Sequence, residues 1–439
     1  MTWWVALSGS LALLLALLLL GIPVFVAFLI LNVTGILFIL GPSGFGMFAN
    51  SIYATGTINA LAAVPLFILI GEILFRSGAM EVLFDSMDRL VGRIRGRQYV
   101  LCILLSAILG ALSGAAMAVA GLLGRSLFPT MLKRGYDRHL SAGTILAGAS
   151  LDPIIPPSVL AILIATIAQI STGKLLIAGI LPGLLLTGMF LIYVFIRVKL
   201  KPSLAPELAA DLADRKASGS ALVAVLKMMP SALIFFLVMG LVMLGVATPT
   251  ESAATGVVGS LVLALGYRRL SWKLVSEAVI TAVTVASLLL LIMCCAVMFS
   301  QLLTLTGAAR QLGETVVSLK LSAVVMLFLM MAVPFVLFMF LDQVALMLVL
   351  IPIYNPLIKV YGFDEIWFYT LFLVVATVGG ITPPFGYTLF ALKSAAPTIP
   401  MSDFFKASWP FVWIIMLGML IMALVPPIVT WLPNLLSQN

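Results

Sequence analysis

Long apolar runs alternate with short polar gaps along this chain, and the lengths of the runs set the expected elements. Residues 3–20 and 22–41, parted by Gly21 and Pro23, each suffice to cross about 30 Å of hydrocarbon as a helix. A Gly-, Ser- and Asn-containing segment follows from Gly41 to Asn59, then a third span at 60–76. The pattern changes over 77–98. Met80, Leu83, Met87, Leu90, Val91 and Ile94 recur at helical spacing, with Arg89, Arg93, Arg95 and Arg97 opposite them. This predicts an amphipathic arm helix lying in the interface, on the cytoplasmic side by its arginines. Residues 99–132 are apolar, basic at both ends, interrupted at Ser113-Gly114-Ala115-Ala116, and short for two crossings, so a re-entrant hairpin fits. A broken helix over 139–170, in halves 139–151 and 158–170, and a returning helix over 175–198 complete the first half.

Residues 199–228 are the one long polar connection, running through Lys199, Lys201, Pro202, Pro206 and Asp211 to Lys216, and they separate 1–198 from 229–439. The second half echoes the first. Pro249 follows Pro23 by 226 residues and Thr306-Gly307-Ala308 follows Ser77-Gly78-Ala79 by 229. Pro129, Gly135, Pro156 and Pro157 recur as Pro356, Gly362, Pro383 and Pro384 at an offset of 227. The expected elements are a scaffold at 229–300, an arm at 301–320, hairpin two at 321–358, a broken helix at 365–395 and a final helix at 408–431. An odd number of crossings per half, about five, requires the second half to be inverted relative to the first. The fold class read from this is an all-α polytopic membrane protein of two inverted-topology repeats. It has about ten crossings and two opposed hairpins, with both termini on the outer side.

Composition agrees. Of 439 residues 63% are hydrophobic and 9% charged, far from the roughly half-apolar usage of soluble domains. The net charge of +8 arises from basic residues in short loops, the positive-inside pattern, which excludes a nucleic-acid face. Met1-Thr2-Trp3-Trp4 carries no basic leader region, so the first helix is expected to be retained. Cys102, Cys294 and Cys295 lack metal-ligand spacing and read as small core residues, and His139 as a solvated loop histidine. No P-loop, HExxH, Cys/His cluster or nucleophile elbow is present, so coupling is expected from an ion gradient and not from ATP.

The candidate chemistry gathers at two runs, Leu151-Asp152-Pro153-Ile154-Ile155-Pro156-Pro157-Ser158 and Gly379-Gly380-Ile381-Thr382-Pro383-Pro384-Phe385-Gly386. Tandem prolines remove two N–H donors and strip the upstream carbonyls of intrahelical partners. Broken backbone at membrane depth is tolerated only where it is buried in protein or lines a cavity, and two matched breaks point to a transporter site. Simple helix kinks are the bland reading of either one alone. Sodium, a hard cation, prefers carbonyl and hydroxyl oxygens. Repeat one offers Ser113 with the backbone of Asp152 and Ile155. Repeat two offers the turn Phe340–Asp342 with the backbone of Gly379 and Thr382 and the Thr382 hydroxyl. Asp342 is an intramembrane carboxylate and functional by default, or else a buried structural group. Arg125 either meets a substrate carboxylate or pairs with Asp152. Ser158 sits on the first turn after the break, where helix N–H groups attract anions. Glu72 with Arg76 reads as an i, i+4 ion pair, and Glu251 in Thr248-Pro249-Thr250-Glu251 as a capping residue.

These motifs, together with Asp342 and Ile351-Pro352, resemble the large membrane (M, DctM-like) subunit of tripartite ATP-independent periplasmic (TRAP) transporters over nearly the whole chain. The resemblance implies a sodium-coupled elevator importer carrying a small organic carboxylate (a C4-dicarboxylate, a sugar acid or sialic acid) and two sodium ions across the bacterial inner membrane. It implies a small four-helix membrane partner, separately encoded, and a soluble periplasmic binding protein. By carry-over, the sodium positions are Ser113, Asp152, Ile155, Pro157, Gly379 and Thr382, and the substrate positions Ser113, Ser158 and Asp342. Two departures stand out: Asp152 where glycine is expected, and Ser113-Gly114-Ala115 in place of a Ser-Gly-Ser tip. A stand-alone sodium/anion symporter of the same superfamily is the alternative. An intramembrane enzyme is remote, because the carboxylates are too scattered for an acid–base set.

Overall fold

The computed structural model describes residues 3–42, 44–92, 94–113, 116–207 and 221–436, and every regular element among them is helical. In the first half these are α1 (Trp3–Leu19), α2 (Val24–Gly35, continued by a π-helical turn at Ile36–Leu40), α3 (Gly44–Gly56), α4 (Ala63–Arg76) and α5 (Ala79–Leu90). Then come α6 (Arg97–Ser113), α7 (Ala116–Ser126), α8 (Phe128–Lys133), α9 (Arg138–Ala149), α10 (Val159–Ala168), α11 (Thr172–Ala178) and α12 (Ile180–Leu200). The second half holds α13 (Ala221–Met243), α14 (Pro249–Gly266), the 34-residue α15 (Trp272–Leu305), α16 (Ala308–Ser318), α17 (Ala323–Phe338) and α18 (Gln343–Tyr361). It closes with α19 (Glu365–Ile381), α20 (Tyr387–Ala395), α21 (Met401–Leu424) and α22 (Pro427–Leu436). Among the described residues, six helices are long and apolar enough to cross a membrane: Asn59–Arg76, Thr172–Leu200, Leu222–Met243, Trp272–Leu305, Gln343–Tyr361 and Met401–Leu424. The chain is therefore a multi-pass helical membrane protein.

Local sequence explains the element starts. Asp137 and Asp364, 227 residues apart, accept the Leu140 and Trp367 backbone N–H at 2.8 and 2.7 Å and so cap α9 and α19. Ser158 and Asp342 cap α10 and α18 in the same way. Thr248 and Glu251 form a reciprocal capping box on α14, as the sequence predicts.

Packing divides the helices into two groups, and each draws on both halves. In one, α4 packs against α14 and α15, while α2 and α3 also lie on α15. In the other, α6 and α7 pack on α9, and α17 on α19. Across the halves α7 meets α20 and α10 meets α18, so exchanging the halves exchanges the contacts. The centre of the second group is dry: Leu140–Ala149 and Trp367–Ile381 are buried at every position.

Several expected boundaries move. The segment from Gly41 to Asn59 contains α3, which with α4 corresponds to the unbroken α15. Asp211 to Lys216 lie outside the described residues, and α13 already begins at Ala221, so helix occupies the last part of the expected linker. The second arm is only Ala308–Ser318, because α15 keeps its apolar pattern through Leu305. The final helix runs from Met401, carries Pro410 inside it, and stops at Leu424 before Pro426-Pro427 removes two N–H donors. Arg93 is outside the described residues. Arg97 is not on an exposed arm face: it opens α6, is 1% exposed, and bonds the Asp88 carboxylate at 2.6 Å. His139 lies in the first turn of α9, with Nε2 3.5 Å from Asp403, and not in a loop.

Candidate functional site

Both Pro-Pro runs interrupt a helix as their chemistry requires. The first break separates α9 from α10 and the second separates α19 from α20, and in each the Pro-Pro peptide is cis. The break carbonyls have unequal fates. Among the described residues, those of Asp152, Ile155 and Pro157 accept no hydrogen bond. In the second break the Gly379 carbonyl accepts the Thr382 N–H at 3.3 Å and the Thr382 carbonyl accepts the Gly386 N–H at 3.1 Å, each keeping one lone pair. The Thr382 hydroxyl donates to the Val378 carbonyl at 2.6 Å, which leaves its oxygen free to accept. An unsatisfied carbonyl costs several kcal/mol in a water-poor span, so both breaks suit a hard cation. Among the described residues no group of three His, Cys, Asp or Glu gathers, and a cation here would rest on oxygen donors, mostly neutral.

Each break leans on a hairpin. Gly379 touches Phe338 at the end of α17 so closely that a Cβ would strike the Phe338 backbone. Asp152 lies over Gly110 on α6, and the Ala116 amide at the start of α7 faces its carboxylate. Gly114 and Ala115 of the first tip are outside the described residues, as is the Ser113 side chain; the Ser113 backbone ends α6. At the second tip the exposed rings of Phe340 and Phe385 pack at 6.2 Å, beside the exposed Asp342.

A cavity of about 300 Å³ lies beside the first break. Its walls include Asp152, Pro153 and Ser158 of the first break, Met117 of α7, and Gln343 and Tyr387 from the second half. Glu72 and Thr281 close it from the α4–α15 side. The Ser158 hydroxyl is already engaged, donating to the Pro153 carbonyl at 2.5 Å and accepting the Ala161 N–H at 3.1 Å. What it presents to the cavity is the N-terminus of α10. Nothing in the hydropathy pattern singles out Gln343 or Tyr387, yet they form a chain: Tyr387 donates to Gln343 Oε1 at 3.0 Å, and Gln343 Nε2 donates to the Ala376 carbonyl. The available signal was a long amide directly after Asp342 in an otherwise apolar run.

Arg125 falls outside this cluster. It is exposed at the far end of α7 and no ion pair joins it to Asp152. Glu72 does pair with Arg76 at 3.0 Å, and Arg76 reaches Glu277 of α15 at 2.5 Å, tying α4 to its neighbour. A second, larger cavity of about 810 Å³ lies beneath the arm, between Glu81, Asp85 and Asp88 on α5 and Arg97 and Arg134 around the first hairpin.

The family described as "Tripartite ATP-independent periplasmic transporter, DctM component" matches residues 11–428 of this chain. The chain belongs to that family. Among DctM relatives, the C4-dicarboxylate TRAP transporter large permease protein DctM of Pseudomonas aeruginosa is 29% identical over 93% of this chain and 95% of its own length. The ectoine TRAP transporter large permease protein TeaC of Halomonas elongata is 27% identical, covering 97% and 98%. The sialic acid TRAP transporter permease protein SiaT of Haemophilus influenzae is 28% identical over 86% of this chain and 60% of its own length. In fold, the DctM chain resembles the crystal structure of the Alcanivorax borkumensis YdaH transporter, with a TM-score of 0.62 at 17% identity over 89% of both chains.

Proposed function

We propose that this chain is the membrane translocation subunit of a sodium-gradient-driven importer of small organic carboxylates. The observation that carries the reading is the pair of matched Pro-Pro breaks with cation-suited oxygens, each pressed against a hairpin, the first lining a cavity that Gln343 and Tyr387 of the second half also wall. C4-dicarboxylates, sialic acid and ectoine, named for the relatives, all bear a carboxylate, and the α10 N-terminus at the cavity wall suits an anion. In this reading Asp342 and Ser158 border the substrate, while Ser113, Asp152, Ile155, Pro157, Gly379 and Thr382 belong to two sodium sites.

The two packing groups act as the moving and fixed bodies of an elevator. The hairpins and broken helices slide past the body built on α4, α14 and α15, with the cavity on the boundary. The near-constant offset between the halves, 226 to 229 residues, supports two inverted repeats in the inner membrane with both termini periplasmic. The partners are a small four-helix membrane subunit and a periplasmic binding protein that delivers the substrate.

Uptake of a labelled dicarboxylate or sugar acid into proteoliposomes tests this, with and without an inward sodium gradient. It is run with the chain alone and with both candidate partners. Uptake that needs sodium and all three components is expected. Uptake by the chain alone would favour the stand-alone symporter and remove the partners. Uptake indifferent to sodium would remove the coupling ion.

A further inference from the structure

Asp152 occupies the place that Gly379 holds in the second half, and packing explains only part of the exchange. In the second half the hairpin itself takes the space: the Cβ and carbonyl of Phe338 occupy it, and the facing residue must be glycine. In the first half the bulk sits on the break: Gly110 of α6 makes room, and a Cβ there would come within 2.9 Å of the Asp152 Cβ. A hydrocarbon side chain would fill that space equally well. Packing therefore accounts for a side chain at 152 and not for its charge.

The carboxylate is only 2% exposed, and its Oδ1 has no hydrogen-bond partner among the described residues. Among the described residues no basic side chain offsets it: Arg125 is exposed at the other end of α7, and Arg76 is held by Glu72 and Glu277. The polar groups sharing its cavity (Glu72, Thr281, Ser158, Gln343 and Tyr387) supply no positive charge. A buried ionised carboxylate persists only when paired or coordinating a metal. The same break supplies three unpaired carbonyls, from Asp152, Ile155 and Pro157. The side chain also reaches between α6 and α7 at the tip where the first cation is expected.

Resting on the sodium reading above, we infer that the Asp152 carboxylate is itself a ligand of the first cation. The first site is then formally anionic and the second neutral. The two sites differ in affinity, the first binding more tightly. Loading the first site cancels a buried charge, whereas loading the second adds one to the moving body.

Equilibrium binding of radioactive sodium to the full chain in lipid nanodiscs tests this without any transport step. The wild type should bind in two phases. Asp152→Asn, which keeps the shape and removes the charge, should weaken the tighter phase at least tenfold and leave the other unchanged. Asp152→Gly, carrying the residue of the second half, should do the same, and it decides the matter if the asparagine variant does not stay monodisperse. Thermal melting separates ligation from a structural role: sodium should raise the melting temperature of the wild type more than that of Asp152→Asn, whose sodium-free stability should match or exceed the wild type. Binding by both variants that superimposes on the wild type overturns the inference and leaves the sodium reading intact. A wild type that binds no sodium overturns both.

Discussion

Thr382 and Asp342 show how one side chain can hold backbone and still offer an atom to a ligand. The Thr382 hydroxyl spends its proton on the Val378 carbonyl, so only its lone pairs face outward. Thr382→Ala should raise the sodium concentration for half-maximal uptake by about tenfold, the order expected for about 1.4 kcal/mol of lost ligation. Thr382→Ser should retain the wild-type curve. Asp342 accepts the Ala345 N–H at 3.0 Å through one carboxylate oxygen, a bond an asparagine side chain reproduces. Asp342→Asn should therefore abolish uptake with an unchanged melting temperature, whereas Asp342→Ala should also lose about 1 kcal/mol of helix cap. Wild-type uptake by Asp342→Asn would take the residue out of the site. Gln343→Leu breaks the Tyr387 and Ala376 links together and leaves the Tyr387 hydroxyl without its acceptor, so it should cost about 1–3 kcal/mol in unfolding.

At the scale of elements, Gly379 and Phe338 predict a close approach of backbone to backbone. Gly379→Ala should lower stability by about 1–3 kcal/mol through overpacking against α17, and Phe338→Ala in the same chain should recover none of that loss in a thermal double-mutant cycle, because alanine keeps the Cβ and carbonyl that the new methyl strikes. Recovery on truncating Phe338 would show that its ring, and not the hairpin backbone, fills the space. The breaks, the half-helices around the first of them and the hairpin limbs were legible because Pro-Pro and Asp or Ser caps act locally, within one turn of where they stand. Boundaries set by tertiary packing were not. α21 runs through Pro410, and Arg97 turns inward to Asp88 because the fold supplies a partner that no periodicity can announce. In the candidate site the same division holds. The Pro-Pro runs and the turn at Phe340–Asp342 were readable, while Gln343 and Tyr387 converge from separate elements and Arg125 ends up remote from Asp152.

At the scale of the molecule, the boundary between the two packing groups is where motion should be visible. Ile68 of α4 and Leu160 of α10 face the same cavity from opposite sides. In a background with Cys102, Cys294 and Cys295 replaced, cysteines at 68 and 160 bridged by a short bifunctional maleimide should stop uptake, and singly substituted chains treated alike should not. Undiminished uptake after complete bridging would rule out sliding along that boundary. The body on the other side of it contains α15, unbroken over 34 residues where the first half has two helices. At 1.5 Å per residue that rod is about 51 Å long. The hydrocarbon layer is only about 30 Å thick, so the rod must lean steeply or stretch the leaflets around it. Acyl-chain length then becomes a control on this protein: thicker bilayers would let α15 stand more upright and tilt the boundary along which the proposed elevator motion would run.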